Sequence, residues 1–104
     1  MADELQLIHE SIFCYFDVGY FDVLKRSTKR KVVYRRQLFH YLSRTLSNNR
    51  ITYEEIGNYL GDIITPYDHS TVMYSERKIT GYLSYDKVVI KDVDNLKNII
   101  NGRR

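Results

Sequence analysis

Apolar residues in this chain recur at spacings of three and four, and that period limits the fold more than any other feature. Leu5, Ile8, Ile12 and Phe16 show it first. Leu38, Phe39, Leu42 and Leu46 repeat it, and Val89, Val93, Leu96 and Ile100 repeat it again near the end. Such spacing puts one apolar stripe on each of several helices, and a stripe must be buried against another element. At 104 residues the chain is expected to be one domain spanning 1–104, with a single core. The expected class is all-α, a bundle of five to six helices.

The segments follow in order. A helix is expected over 3–17, ended by Gly19, with Tyr20–Leu24 as a short second helix or helical turn docked on it. A third runs from about Arg30 to Leu46. On it Arg36, His40 and Arg44 repeat every four residues, and are expected to form a charged ridge opposite the buried stripe. Thr52 and Glu55 have the spacing of a capping box, so a fourth helix should begin there, bury Ile56 and Leu60, and end at Gly61. The connector 62–67 is expected to be loose, with Thr65-Pro66 or Asp68 opening the next helix. That helix buries Val72, Ile79 and Leu83, while His69, Ser70 and Met73 fall on other faces. The last helix covers about 85–100 and should stop at Asn101-Gly102. The fourth and fifth helices read as a helix-turn-helix pair.

Charge is unevenly spread. Residues 1–24 hold five acids and no Lys or Arg, whereas residues 25–50 hold nine Lys or Arg and no acid. Residues 51–104 are nearly balanced, so the formal net charge of +3 conceals one basic block. A block of one sign is an electrostatic footprint for a polyanion, although a solvated helix face has the same composition. A helix that buries one stripe and offers a polar first turn, here Asp68-His69-Ser70-Thr71, has the form that enters a DNA major groove.

Other chemistries find little support. Cys14 is the only cysteine, which fits a reducing cytoplasm and excludes an internal disulfide; it is expected in the core. His9, His40 and His69 fall on three different helices with no metal-ligand spacing, so neither a metal nor another cofactor is expected. No nucleophile–base arrangement points to an enzyme. The acidic N-terminus is unlike a secretory signal, and no apolar run has membrane-spanning length. Tyr67 and Tyr74 are expected to line the groove face, Tyr41 and Tyr82 the core or its boundary.

Two stretches carry a family resemblance. Arg36-Gln37-Leu38-Phe39-His40-Tyr41-Leu42-Ser43-Arg44 is one. Ile56-Gly57, followed by Asp68-His69-Ser70-Thr71-Val72 and Lys78-Ile79, is the other. Together they resemble the C-terminal DNA-binding domain of the bacterial replication initiator DnaA over about residues 8–100. The resemblance implies a Trp-repressor-like helix-turn-helix that binds double-stranded DNA. It implies base reading by Asp68, His69 and Ser70, and phosphate contacts by Arg35, Arg36, Gln37, Arg44 and Thr71. The family's minor-groove arginine falls on Thr28, so Arg26, Lys29 and Arg30 are the other candidates for minor-groove or backbone contact. Tyr67 stands where the family has arginine, and the turn is lengthened by Asp62 to Thr65. The family's initiators carry an ATPase domain ahead of this one. No Gly-x-x-x-x-Gly-Lys-Ser/Thr loop occurs in these 104 residues, so a free-standing binder without ATPase activity is expected, of bacterial, phage or mobile-element origin. The alternative is a regulatory module that binds a replication protein and has lost base readout; no membrane or small-molecule partner is expected.

Overall fold

A computed structural model describes residues 2–104, with side chains described from Glu4 onward. It contains five α-helices: α1 (Ala2–Tyr15), α2 (Arg30–Leu46), α3 (Tyr53–Gly57), α4 (His69–Tyr82) and α5 (Lys87–Arg103). There is no strand among the described residues. Tyr20–Asp22 is a single 3-10 turn rather than a second α-helix. No helix among the described residues is long and apolar enough to cross a membrane.

The central helix is α2, which packs against α1, α3, α4 and α5. Its Leu38, Phe39 and Leu42 are fully buried. Ile8 and Ile12 of α1, Ile56 of α3, Val72 and Ile79 of α4, and Leu96 and Ile100 of α5 close over them, so the expected stripes do meet in one core. Cys14 is not part of it; its side chain is exposed, because the buried face of α1 runs through Ile8 and Ile12 and leaves position 14 outside.

Helix ends differ from expectation where a side chain does what glycine was expected to do. Asp17, with φ 54°, ends α1 in the left-handed region two residues before Gly19. Its N–H donates to Cys14 O at 3.2 Å and Val18 N–H donates to Phe13 O at 3.0 Å, a Schellman closure that an aspartate tolerates. Asn48 closes α2 in the same way. At α3 the capping box forms as expected: Glu55 N–H donates to Thr52 Oγ1 at 3.1 Å, and Thr52 N–H donates to Glu55 Oε1 at 3.2 Å. The helix nevertheless stops at Gly57, and Leu60 with φ 61° turns the chain, not Gly61. In α5 the helical turns continue past Asn101-Gly102 to Arg103.

Candidate nucleic-acid interface

The turn between α3 and α4 closes on one glycine. Tyr67 N–H donates to Gly57 O at 2.9 Å. A Cβ on Gly57 would run into the Tyr67 carbonyl, so the two segments meet this closely only with glycine there. The expected ambiguity over where the next helix begins is resolved at Asp68, the N-cap, whose backbone is extended and whose C=O accepts from Thr71 and Val72.

Asp68, His69 and Ser70 are all exposed at this end of α4, and their side chains bond to one another. Ser70 Oγ donates to Asp68 Oδ2 at 2.7 Å. His69 Nδ1 lies 3.0 Å from Asp68 Oδ1. The Asp68 carboxyl is held below the usual carboxylate range, mainly by the Ser70 hydroxyl and then by the neighbouring His69. Its carboxylate is engaged by the Ser70 hydroxyl and His69 and is otherwise open to solvent. Thr71 is half-buried, while Val72, Ser75 and Ile79 turn inward.

Tyr67 is the residue that ties this end to the basic block. It was expected on the groove face, yet it is buried, 7% exposed. Its hydroxyl donates to Leu24 O at 2.7 Å. The Arg26 guanidinium lies 4.3 Å from the ring centroid and that of Arg36 4.9 Å, both within cation–π range. Arg26 Nη2 donates to Pro66 O at 2.8 Å. Arg36 Nη1 reaches Lys25 O and Ser27 O, each at 3.5 Å. The basic loop is therefore fastened beside the entry to α4, and the connector is anchored at its Tyr67 end. Ile63, further back, is exposed.

The expected charged ridge on α2 is folded inward. His40 is fully buried and hydrogen-bonded through Nδ1 to Ser75 Oγ on α4 at 2.8 Å. Burial first, and then the Arg36 charge, push its imidazole down to about 3, so it is neutral. Arg44 Nη1 donates to Ile51 O at 2.9 Å and Asn49 O at 3.2 Å, with its guanidinium 4.1 Å from the Tyr53 ring centroid. Tyr53 in turn donates to Glu76 on α4 at 2.6 Å. Arg36 and Arg44 thus hold the segments that flank the helix pair, and neither uses Nη2 in a hydrogen bond among the described residues. Arg35 reaches Asp22 O at 3.4 Å, and Gln37 is buried at the rim of a groove. Thr28, Lys29 and Arg30 are exposed. Of the nine basic residues in 25–50, Lys25 pairs with Asp22 and Arg50 with Glu4, which leaves seven without a salt bridge among the described residues. Their field is not neutralised from within.

A short helix, a turn pinned at Gly57 and a second helix with an open polar first turn make this a helix-turn-helix domain. Its basic flank is bound directly to the turn. The Bacterial dnaA protein helix-turn-helix family matches residues 5–79, and the chain belongs to that family. It is 35% identical over 97 residues to the chromosomal replication initiator protein DnaA of Levilactobacillus brevis, an alignment covering 93% of this chain and 20% of that protein. It is 30% identical over 95 residues to the protein of the same name from Enterococcus faecalis, covering 91% and 20%. It is 28% identical over 98 residues to that of Thermoanaerobacter sp., covering 94% and 20%. The chain spans about a fifth of the length of the curated relatives it matches.

Proposed function

We propose that this domain binds double-stranded DNA and reads its sequence with Asp68, His69 and Ser70 in the major groove. The observation that carries the reading is the fastening of an unneutralised basic loop to the entry of α4 through Tyr67, beside three exposed polar side chains. Asp68 is an acceptor for a cytosine amino group, and Ser70 can bond to a base edge or touch a thymine methyl. With His69 Nδ1 turned to Asp68, Nε2 is the atom left to face the groove. Thr71 in the first turn of α4 and Gln37 midway along α2 hold phosphates, together with Arg35 and the free Nη2 of Arg36 and Arg44. Thr28, Lys29 and Arg30 face the adjacent backbone or minor groove. Arg26, also exposed, is a further candidate for such a contact, held in place by Tyr67 and Pro66. Phosphate contacts fix register and base contacts specify sequence. No nucleotide hydrolysis is assigned to these residues.

The test is selection of bound sequences from random duplex DNA, followed by salt titration of the selected duplex. Each phosphate neutralised contributes about −0.9 to the slope of log K against log salt. Replacing Lys29 and Arg30 together by alanine removes two exposed charges and should flatten that slope by about 2. Selection that yields no preferred sequence, with no duplex binding at low salt, overturns the reading and leaves a module for a protein partner.

A further inference from the structure

A second concave surface lies off the reading end. It is an open groove of about 660 Å³ between the N-terminal half of α2, the outer face of α4 and the α4–α5 turn. Its volume falls within the range of small-ligand clefts, about 300–1,000 Å³. Three tyrosine rings form its walls: Tyr74 and Tyr82 from α4, and Tyr85 from the turn. Tyr74 is 51% exposed and Tyr85 70%, so much of their aromatic surface faces solvent. Tyr34 belongs to the floor, since its ring is half-buried and its hydroxyl donates to Asp92 at 2.7 Å.

The charge in the groove is cationic. Lys78 Nζ stands 5.3 Å from the Tyr82 ring centroid and 6.0 Å from that of Tyr74, and Arg30 contributes from α2. The one carboxylate lining the groove, Asp86, is committed elsewhere: it caps α5, accepting from Val88 N–H at 3.0 Å and Val89 N–H at 3.2 Å. Val33, Val88 and Val89 make part of the lining aliphatic, but the exposed rings set beside cations favour a nucleotide over an aliphatic peptide. A nucleobase stacks on any aromatic face, and its phosphate pairs with Lys or Arg. The rim of the groove carries Thr28, Arg30 and Gln37, the same residues placed against the duplex above, so the two surfaces are continuous.

We propose that this groove binds an unpaired nucleotide of a DNA strand continuous with the bound duplex, its base stacked on Tyr85 or Tyr74 and its phosphate held by Lys78 and Arg30. The inference rests on the duplex-binding reading for its geometry. It adds a second DNA chemistry to the domain, selective for single-stranded character and tolerant of base identity.

The experiment compares four probes by anisotropy: a blunt selected duplex, the same duplex with a three-thymidine tail at the 5′ or 3′ end, a tail of abasic residues, and free oligothymidine. At least one tail polarity should tighten binding about fivefold or more over the blunt duplex, the size of one stacked base. The abasic tail should not. Tyr85→Ala, at an exposed position in the α4–α5 turn, should reduce the increment and leave blunt-duplex affinity unchanged, and adding Tyr74→Ala should abolish what remains of the increment. A tail that adds nothing, an abasic tail that tightens equally, or an increment that survives both variants overturns the proposal. If the blunt duplex is not bound but oligothymidine is, and the tyrosine variants lose it, the duplex reading fails while the groove assignment stands. Binding of neither overturns both.

Discussion

Tyr67→Phe and Tyr67→Leu separate the two tasks of the residue that fastens the basic loop to the helix-turn-helix. Phenylalanine keeps the ring between Arg26 and Arg36 but deletes the hydroxyl that donates to Leu24 O at 2.7 Å. Leu24 is buried, so its carbonyl loses its side-chain donor with no water to replace it. Leaving a buried acceptor unsatisfied costs about 1–3 kcal/mol. The second bond of the hydroxyl, from Arg36 at 3.4 Å, is long and adds little. Tyr67→Phe should thus lose about 1–2 kcal/mol, which in a domain this size lowers Tm by about 5–15 °C. Leucine also removes both guanidinium–ring contacts, at about 0.5–1 kcal/mol each, and leaves part of the ring volume empty. Its total should be about 3–4 kcal/mol. Urea unfolding gives the stabilities, and duplex titration well below both transitions gives the function. The phenylalanine variant should bind duplex nearly as the parent does, because the stack that positions the loop survives. The leucine variant should bind more weakly even where fully folded. A Tyr67→Phe protein as stable as the parent would refute the role of the Leu24 bond. A folded Tyr67→Leu protein with parental affinity would refute the role of the stack.

Two more perturbations test the frame around the site. Gly57→Ala places a methyl against the Tyr67 carbonyl, which is backbone and cannot swing aside; the loss should be about 2–3 kcal/mol, seen as a fall in Tm, and a neutral result would show that the turn has room. Stability should also fall as pH drops from 7 to 5. Folded His40 takes up its proton only near about 3, against 6.5 when unexposed to the core, so in this window the unfolded chain binds a proton that the folded chain does not. The His40 contribution is complete above pH 6.5 and is lost below it at up to about 1.4 kcal/mol per unit, with buried His9 acting in the same direction. Urea unfolding at pH 7 and pH 5 measures it; equal stability at the two would contradict a neutral, buried His40.

The helices were legible because apolar period is a local property, and the stripes read from it face the core: Leu38, Phe39 and Leu42 on α2 and Val89, Val93, Leu96 and Ile100 on α5 are buried, while Leu46, Phe16 and Leu83 are half-buried at its edge. The capping box at Thr52 was legible for the same reason. The inward turn of Arg36, His40 and Arg44 was not. Spacing puts three residues on one face, but it cannot say what lies over that face, and α2 is covered on nearly every side by the other helices. The cue for His40 lay one element away, in Ser75, a polar residue on the inward side of α4. The role of Tyr67 depends on contacts across forty residues to Leu24 and Arg26, which no local pattern records. Helix ends were misread where Asp17 and Leu60 adopt left-handed backbone that glycine would take more easily, since tertiary packing decided those turns.

Base reading by the first turn of α4 is directly measurable. His69 and Ser70 are exposed and absent from the core, so alanine at either should leave stability within about 0.5 kcal/mol. Paired titrations against the selected duplex and a scrambled one then isolate base reading. His69→Ala and Ser70→Ala should each lose about 1–3 kcal/mol on the selected duplex and much less on the scrambled one. Equal losses on both duplexes, or no loss on either, would contradict base reading.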